Sequence, residues 1–438
     1  MVVRPSFRPP RRVCIAPCDV ASYYSGLREG LAAAGVKTWF FSFLYNPYAR
    51  YRPGSDATWL ERAVHRAASV RIPGPAGISN FLRQLLLLPL RVAALAAGLL
   101  CCDVFVLGFA MSFFRCRELP LLRLFRKRLI FVLNGSDSRP AWMSGLYTLG
   151  PDAPCVDAIV RETRRQLAIL GRIERYADEI VCHPLSAQFL QRPFVNHLQI
   201  GHPFASAPHE AGQMQPRRPG PLRIVHAPTR PLQKGSAVFR REIARLNVLG
   251  IETDYRELTD LPNGEVLRAV ADADLVLDEL YSDIPLAGLG TESASLGTAV
   301  VVGGYGSEAI ATHLPASGMP HTHYVVPDKV PALIENMIRD QALRSRTAAE
   351  NLAFVHEHWS SVAVAKKFLR IITGDFPPDW RSDPAAVTYW QGWGSPEESV
   401  LAACAAIIAR HGASALGIAH NPSLEREILS RIGDSPYR

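Results

Sequence analysis

No pair of cysteines in this 438-residue chain is spaced Cys-x-x-Cys. Of its eight cysteines, Cys101 and Cys102 are adjacent, Cys14 and Cys18 are separated by three residues, and the other four stand alone. Zinc sites and disulfide frameworks need clustered or regularly spaced thiols, so neither is expected, and buried, reduced cysteines are. The N-terminal stretch MVVRPSFRPPRRV lacks the apolar run of a secretory signal. No low-complexity tract or solenoid-period repeat is visible. Charged residues make up only 20% of the chain and hydrophobic ones 48%, a balance that excludes a disordered protein. A single apolar run, Leu85 to Cys101, approaches the length of a membrane span, but it contains Pro89 and Arg91 and stops before Asp103. An arginine near a bilayer centre costs at least about 2.5 kcal/mol, so a buried or membrane-surface helix is expected rather than a span.

The length exceeds what one ordinary core organises, which points to two α/β domains. The net charge of +8 is unevenly spread: residues 1–210 hold 26 Lys and Arg against 14 Asp and Glu, and the remainder 22 against 26. A basic first half suits an anionic membrane surface or a phosphate-bearing lipid, and it also suits an ordinary arginine-rich surface. The basic residues are scattered among apolar ones, and no nucleic-acid partner is expected.

Apolar β-type runs alternate with helical stretches. Strands are expected at 13–16, 36–43, 104–107, 129–133 and 179–182, with helices at 24–34 and about 156–177, and with 44–75 irregular. This is the grammar of a doubly wound parallel sheet. Residues 205–221, ASAPHEAGQMQPRRPGP, have no periodicity and mark the domain boundary. The grammar then restarts, with strands at 223–227, 251–256, 274–278, 298–302 and 323–326 and helices at 236–249 and 263–271. The expected layout is a first domain over 1–205, a linker at 206–221, a second domain over 222–373, and an aromatic and helical extension over 374–438 with helices near 396–411 and 422–432.

Two segments carry the chemistry. In Arg223–Gly235, RIVHAPTRPLQKG, a β-run ends at Pro228 and two cations follow, Arg230 and Lys234. Cations just beyond a strand's C-terminal end lie where open α/β sheets bind ligands, and each can give a phosphate a charge-assisted hydrogen bond. In Gly288-Leu289-Gly290-Thr291-Glu292, Gly288 and Gly290 allow close backbone approach, and a helix at 292–296 would offer its N–H groups to an anion. Thr291 could equally serve as N-cap, and Glu292 could be an acid favoured by the helix dipole. Asp272 and Asp274 fall at a helix-to-strand junction and are not expected to hold a metal; His313, His321 and His323 read as a polar loop. Ser136 has no identifiable histidine partner, so a cleft-facing turn is the reading for Ser136-Asp137. Ser25 and Gly26 open the first helix after Cys18 and Asp19, with Ser22 or Ser25 as plain helix caps the simpler alternative.

Together these segments resemble the GT-B glycosyltransferases, in particular the retaining bacterial group (glycosyl transferases group 1, family 4-like). The resemblance covers about residues 12–373 and extends to Asp103–Phe109, Leu119–Arg123, Phe131–Asp137, Ala271–Asp278 and Phe354–Trp359. It implies an α/β GT-B fold of two Rossmann-like domains facing across a cleft. It further implies transfer of a sugar from a nucleoside diphosphate sugar to a saccharide or lipid-linked acceptor in surface polysaccharide or glycoconjugate synthesis, without a cofactor or metal. Arg230 and Lys234 would bind the donor diphosphate, Glu292 with Thr291, Gly290 and Gly288 the ribose and nucleotide, and Ser25 and Gly26 an acceptor or phosphate. The acid such enzymes carry eight positions before the ribose-binding Glu is Ile284 here, with Asp283 beside it, and Asn134 replaces a frequent His. Asp283, Asn134 and Asp137 are thus the residues on the donor-sugar side. A cytoplasmic location is expected, peripheral to the inner membrane face through the basic first domain. The rival expectations are a catalytically weak or inactive homologue serving as a binding or assembly subunit, and a sugar-nucleotide epimerase.

Overall fold

The structure is a computed structural model that describes residues 10–44, 51–150, 155–204, 220–314 and 318–433. Residues 206–219 of the expected linker lie outside the described residues.

In chain order the first part comprises β1 (Arg12–Ala16), α1 (Tyr23–Ala33), β2 (Lys37–Phe40), α2 (Trp59–Ala68), α3 (Ala76–Cys101), β3 (Val104–Gly108), α4 (Leu119–Leu124), β4 (Arg128–Val132), α5 (Gly145–Thr148), α6 (Val156–Tyr176), β5 (Glu179–Cys182), β6 (Phe194–Asn196) and α7 (His197–Ile200). The second comprises β7 (Leu222–His226), α8 (Pro231–Lys234), α9 (Ser236–Val248), β8 (Thr253–Glu257), α10 (Asn263–Ala271), β9 (Leu275–Leu277), α11 (Gly288–Ser295), β10 (Ala299–Gly303), α12 (Ser307–Ala311), β11 (His323–Val325), α13 (Val330–Arg339), α14 (Gln341–Phe354) and α15 (Ser361–Thr373). The extension adds β12 (Arg381–Ser382), α16 (Glu397–His411) and α17 (Pro422–Gly433).

Two sheets result, in the orders β12-β6-β5-β4-β3-β1-β2 and β11-β10-β9-β7-β8. Every pairing is parallel except that of β12 with β6. The inner strands are buried on both faces, which is why β3 and β4 read as unbroken apolar runs. Phe105, Leu107, Leu129 and Phe131 pack with α2, α3, α4 and α6 on one face, and Val104, Val106, Ile130 and Val132 with α1 and α15 on the other. The α/β fold of two doubly wound domains is therefore as expected.

The segment read as irregular, 44–75, contains α2. Its signal is a capping box: Thr58 Oγ1 accepts from Glu61 N, the Glu61 carboxylate accepts from Thr58 N, and Leu60, Val64 and Ala68 form the buried stripe. Cys101 and Cys155 are exposed rather than buried.

The chain returns from the second sheet to the first through α15, which lies on α1. Gly30 permits this, because a Cβ there would stand 1.8 Å from the Ser361 carbonyl oxygen. The extension packs on the first domain as well. Beyond the β12–β6 pairing, Trp142 Nε1 donates to Leu416 O at 3.1 Å and Gln188 Nε2 to Tyr389 O at 2.9 Å.

Candidate active site

A cavity of about 240 Å³ lies between the C-terminal ends of the two sheets. The first domain lines it with Val20 and Ala21 after β1, Asn134, Gly135, Ser136 and Arg139 after β4, His183 after β5, and His197 and His202 after β6. From the second domain come Arg230 after β7, Glu279, Asp283 and Ile284 after β9, and Ala287 and Gly288 at the start of α11. The extension contributes Trp393. Strand ends are where a parallel sheet offers loops and helix N-termini to a ligand. The two domains come close here: a Cβ on Gly288 would stand 3.1 Å from Ala21 Cβ across the cleft.

The structure separates the two expected diphosphate cations. Arg230 is exposed and lines the cavity, and its side chain makes no hydrogen bond or ion pair among the described residues. Lys234 does not line it. It is buried, with Nζ 3.0 Å from both Asp278 Oδ1 and Glu279 Oε1. Burial alone would lower the lysine's pKa, but the two carboxylates outweigh burial and raise it, so Lys234 is held as an ammonium. The other oxygen of Asp278 accepts from Gly290 N at 3.1 Å, so the two sequence segments meet through this aspartate.

The helix expected at 292–296 begins at Gly288, with Ala287 in the N-cap position and no side-chain cap. Thr291 is therefore not the N-cap. It is buried within the helix, and its hydroxyl has no partner among the described residues. Glu292 is half-buried on α11 and accepts from Asn263 Nδ2 at 3.3 Å. It stands outside the cavity lining.

On the expected sugar side, Asp283 lines the cavity as half of a buried ion pair. Arg139 Nε donates to its Oδ2 at 3.0 Å, and Arg139 Nη2 contacts the same oxygen. The Arg139 guanidinium also lies 5.5 Å from the centre of the Trp393 ring, and Trp393 Nε1 donates to Glu279 Oε2 at 2.8 Å. A continuous polar chain thus runs from the first domain through Arg139, Trp393, Glu279 and Lys234 to Asp278 and α11.

Asn134 lines the cavity, its Oδ1 accepting from the Tyr24 hydroxyl at 2.6 Å and its N–H donating to Asp137 Oδ1 at 2.9 Å. Asp137 itself is buried behind the lining, and burial pushes its carboxyl up to about 7. A carboxyl whose folded pKa exceeds its unfolded value of about 3.9 binds extra protons in the folded state, so it costs stability as pH rises from about 4 through 7. Asp137→Asn is expected to raise the melting temperature at pH 8 and leave it unchanged near pH 4; equal shifts at both, measured by calorimetry, would contradict this.

Ser25 and Gly26 are outside the cavity lining. Ser25 Oγ donates to Ser22 O, and Gly26 lets α1 approach Pro203, whose carbonyl oxygen a Cβ would meet at 2.4 Å. Neither Ser22 nor Ser25 caps α1; instead, Asp19 Oδ1 accepts from Tyr24 N and Ser25 N, both at 3.2 Å. A carboxylate thus occupies that first turn. Ala21 and Ser22 take left-handed backbone with φ of 48° and 59°, which glycine adopts without penalty.

Asp274 accepts from Arg223 N at 2.8 Å and is ion-paired with its guanidinium. His323 Nε2 bonds Thr347 Oγ1 and His321 is exposed near Glu350, while His313 offers its carbonyl to Asn196.

Nothing in the local sequence marked His183, His197 and His202, which the fold gathers into the cavity wall, His197 and His202 beside the Tyr23 ring and His183 beside that of His197. Burial lowers the pKa of all three, that of His202 to about 4, so the cluster is neutral at pH 7. The Nε2 atoms of His183 and His197 have no partner among the described residues. A neutral imidazole can donate or accept at a sugar hydroxyl, or take its proton.

No family model matches the chain, and no curated protein matches it. Among solved structures the chain is similar to Anabaena Alr3699/HepE in complex with UDP-glucose, at 11% identity and a TM-score of 0.47, over 83% of this chain and 99% of that one. It is also similar to WaaG, a glycosyltransferase involved in lipopolysaccharide biosynthesis, at 10% identity and a TM-score of 0.48, over 83% of this chain and 100% of that one. The glycotransferase of kitacinnamycin is similar at 14% identity and a TM-score of 0.42, over 84% and 100% of the respective chains. Each is a likeness of fold alone.

Proposed function

We propose that this protein transfers a sugar from a nucleoside diphosphate sugar to a saccharide or lipid-linked acceptor. The observation that carries this reading is the pairing of Arg230, exposed at the cleft, with the start of α11, where Ala287 and Gly288 line the same cavity ahead of the Gly290 N–H that Asp278 already binds. A helix N-terminus and an arginine together present fixed positive charge and N–H donors to a diphosphate.

In this mechanism Arg230 and the α11 N–H groups stabilise the charge that develops on the leaving diphosphate, with no metal needed for that role. Glu292, further along α11, takes the ribose hydroxyls. Glu279 and Asp283 are the acids that face the donor sugar, in place of the one absent at Ile284. The acceptor approaches from the first domain, where a neutral imidazole of the histidine cluster accepts the proton of its attacking hydroxyl. Attack on the face of the departing phosphate would need no protein nucleophile and would retain configuration.

Calorimetry with a panel of nucleoside diphosphates, followed by a donor screen with mass-spectrometric detection of product, tests the reading. Arg230→Ala is expected to weaken diphosphate binding about 10- to 100-fold, the equivalent of one charge-assisted hydrogen bond, with no change in melting temperature. Unchanged affinity in that variant, or no diphosphate binding by the wild type, would overturn the assignment.

The alternative is a homologue that binds without turnover. It draws on the engagement of Lys234 and Asp283 with other side chains, which leaves Arg230 the one unpaired cation of the two expected. Diphosphate binding without product from any donor would favour it.

A further inference from the structure

We propose that α3 is the face on which the protein rests on a membrane bearing anionic lipid, with the helix lying in the plane of the headgroups. Nucleotide binding plays no part in this proposal, so it stands or falls separately from sugar transfer.

The segment Gly77–Cys101 is long and apolar enough to cross a membrane, yet only 22% of its most apolar stretch is buried in the fold. Core helices of comparable apolarity bury most of their surface. The exposed side chains are not scattered. Ile78, Phe81, Leu82, Leu85 and Val92 recur at helical spacing, and Phe81 is 67% exposed. The opposite side of the helix carries Leu87 and Ala94 into the core. The stripe does not stop at the end of α3, where Leu100 is 83% exposed. Lys127 Nζ donates to Cys102 O at 2.8 Å, placing the α4 end, with exposed Leu124 and Phe125, beside the end of α3. An exposed apolar stripe of this kind marks a docking face.

Charge identifies the occupant. Residues 62–102 contain five arginines and not one carboxylate. Arg66 and Arg71 are exposed beside the helix, and exposed Arg126 adjoins Lys127 at its far end. An apolar stripe flanked by arginines and free of acids matches the headgroup and acyl boundary of an anionic leaflet. A second copy of the chain would set arginine against arginine with no acid from this segment to offset it. Nor can α3 span the bilayer. Leu87 and Ala94 hold it along the sheet, and β3 follows it into the core within two residues of Cys102.

The test is flotation of the full chain with vesicles of phosphatidylcholine alone or with about a third phosphatidylglycerol. Expected is binding to the anionic vesicles at least about tenfold stronger than to the neutral ones, weakening as salt is raised. The double variant Phe81→Gln and Leu85→Gln alters two exposed side chains, so its melting temperature should be unchanged while vesicle binding falls at least about tenfold. The conservative pair Phe81→Leu and Leu85→Met should bind like the wild type. The proposal is overturned if the wild type stays with the aqueous fraction, if the Gln variant binds equally well, or if light scattering shows a dimer that the Gln variant converts to monomer.

Discussion

Lys234→Ala is expected to lower the stability of the protein by about 3–5 kcal/mol, the cost of leaving a buried ion-pair partner uncompensated. The lysine is the counter-charge of both Asp278, which is fully buried, and Glu279. Without it two carboxylates remain side by side, with Gly290 N and the Trp393 indole as their remaining hydrogen-bond donors. Burial already holds the Asp278 carboxyl above its ordinary range with the lysine in place, and the truncation removes the nearby positive charge that opposes that shift. A carboxyl raised in this way binds a proton on folding, so the variant's deficit should shrink as pH falls toward the ordinary aspartate value of about 4. Adding Asp278→Asn and Glu279→Gln should recover most of the loss. Urea unfolding at pH 7 and at pH 4.5 reads both effects. A variant as stable as the wild type at pH 7 would refute the structural role, and Lys234 would then return to the phosphate site beside Arg230.

Arg139→Met is expected to destabilise by a similar amount, about 3–5 kcal/mol, and for the same reason, because it leaves Asp283 buried and unpaired. This pair joins the loop after β4 to the loop after β9 and so crosses the cleft between the domains. Both side chains are nearly inaccessible, at 4% and 6%, so solvent screens the attraction little. Asp283→Asn should cost a comparable amount, and the double variant Arg139→Met with Asp283→Leu should be far more stable than the sum of the single losses predicts. The single variants should also show a larger radius of gyration by small-angle X-ray scattering, since the cleft loses its central bridge. Additive losses with an unchanged radius would remove the pair from any part in holding the domains together.

Much of the fold was legible because parallel sheets buried on both faces need long apolar runs. Val104–Gly108 and Ala299–Gly303 could hardly be anything else. Where burial comes from contacts distant in sequence, the local signal is weak. β12 is two residues long and exists because β6 offers it an edge. Among the site residues, Arg230 and Gly288 were readable from cations and glycines at strand ends. Arg139, Glu279 and Trp393 were not, since their partners lie 144 and 114 residues away and no spacing records such a distance. His183, His197 and His202 likewise become one cluster only when β5 and β6 lie side by side.

The order of strands and helices, the basic first half and the two segments that meet at Asp278 follow from sequence alone. Periodicity, composition and the chemistry of strand ends are local properties, and they survive without coordinates. Tertiary structure decided which cation is available and which is spent. Lys234 and Arg230 look alike in the sequence, but one is closed between two carboxylates and the other faces the cleft. It likewise decided that α3 is exposed, because an apolar helix is buried or bare according to what the rest of the chain places against it.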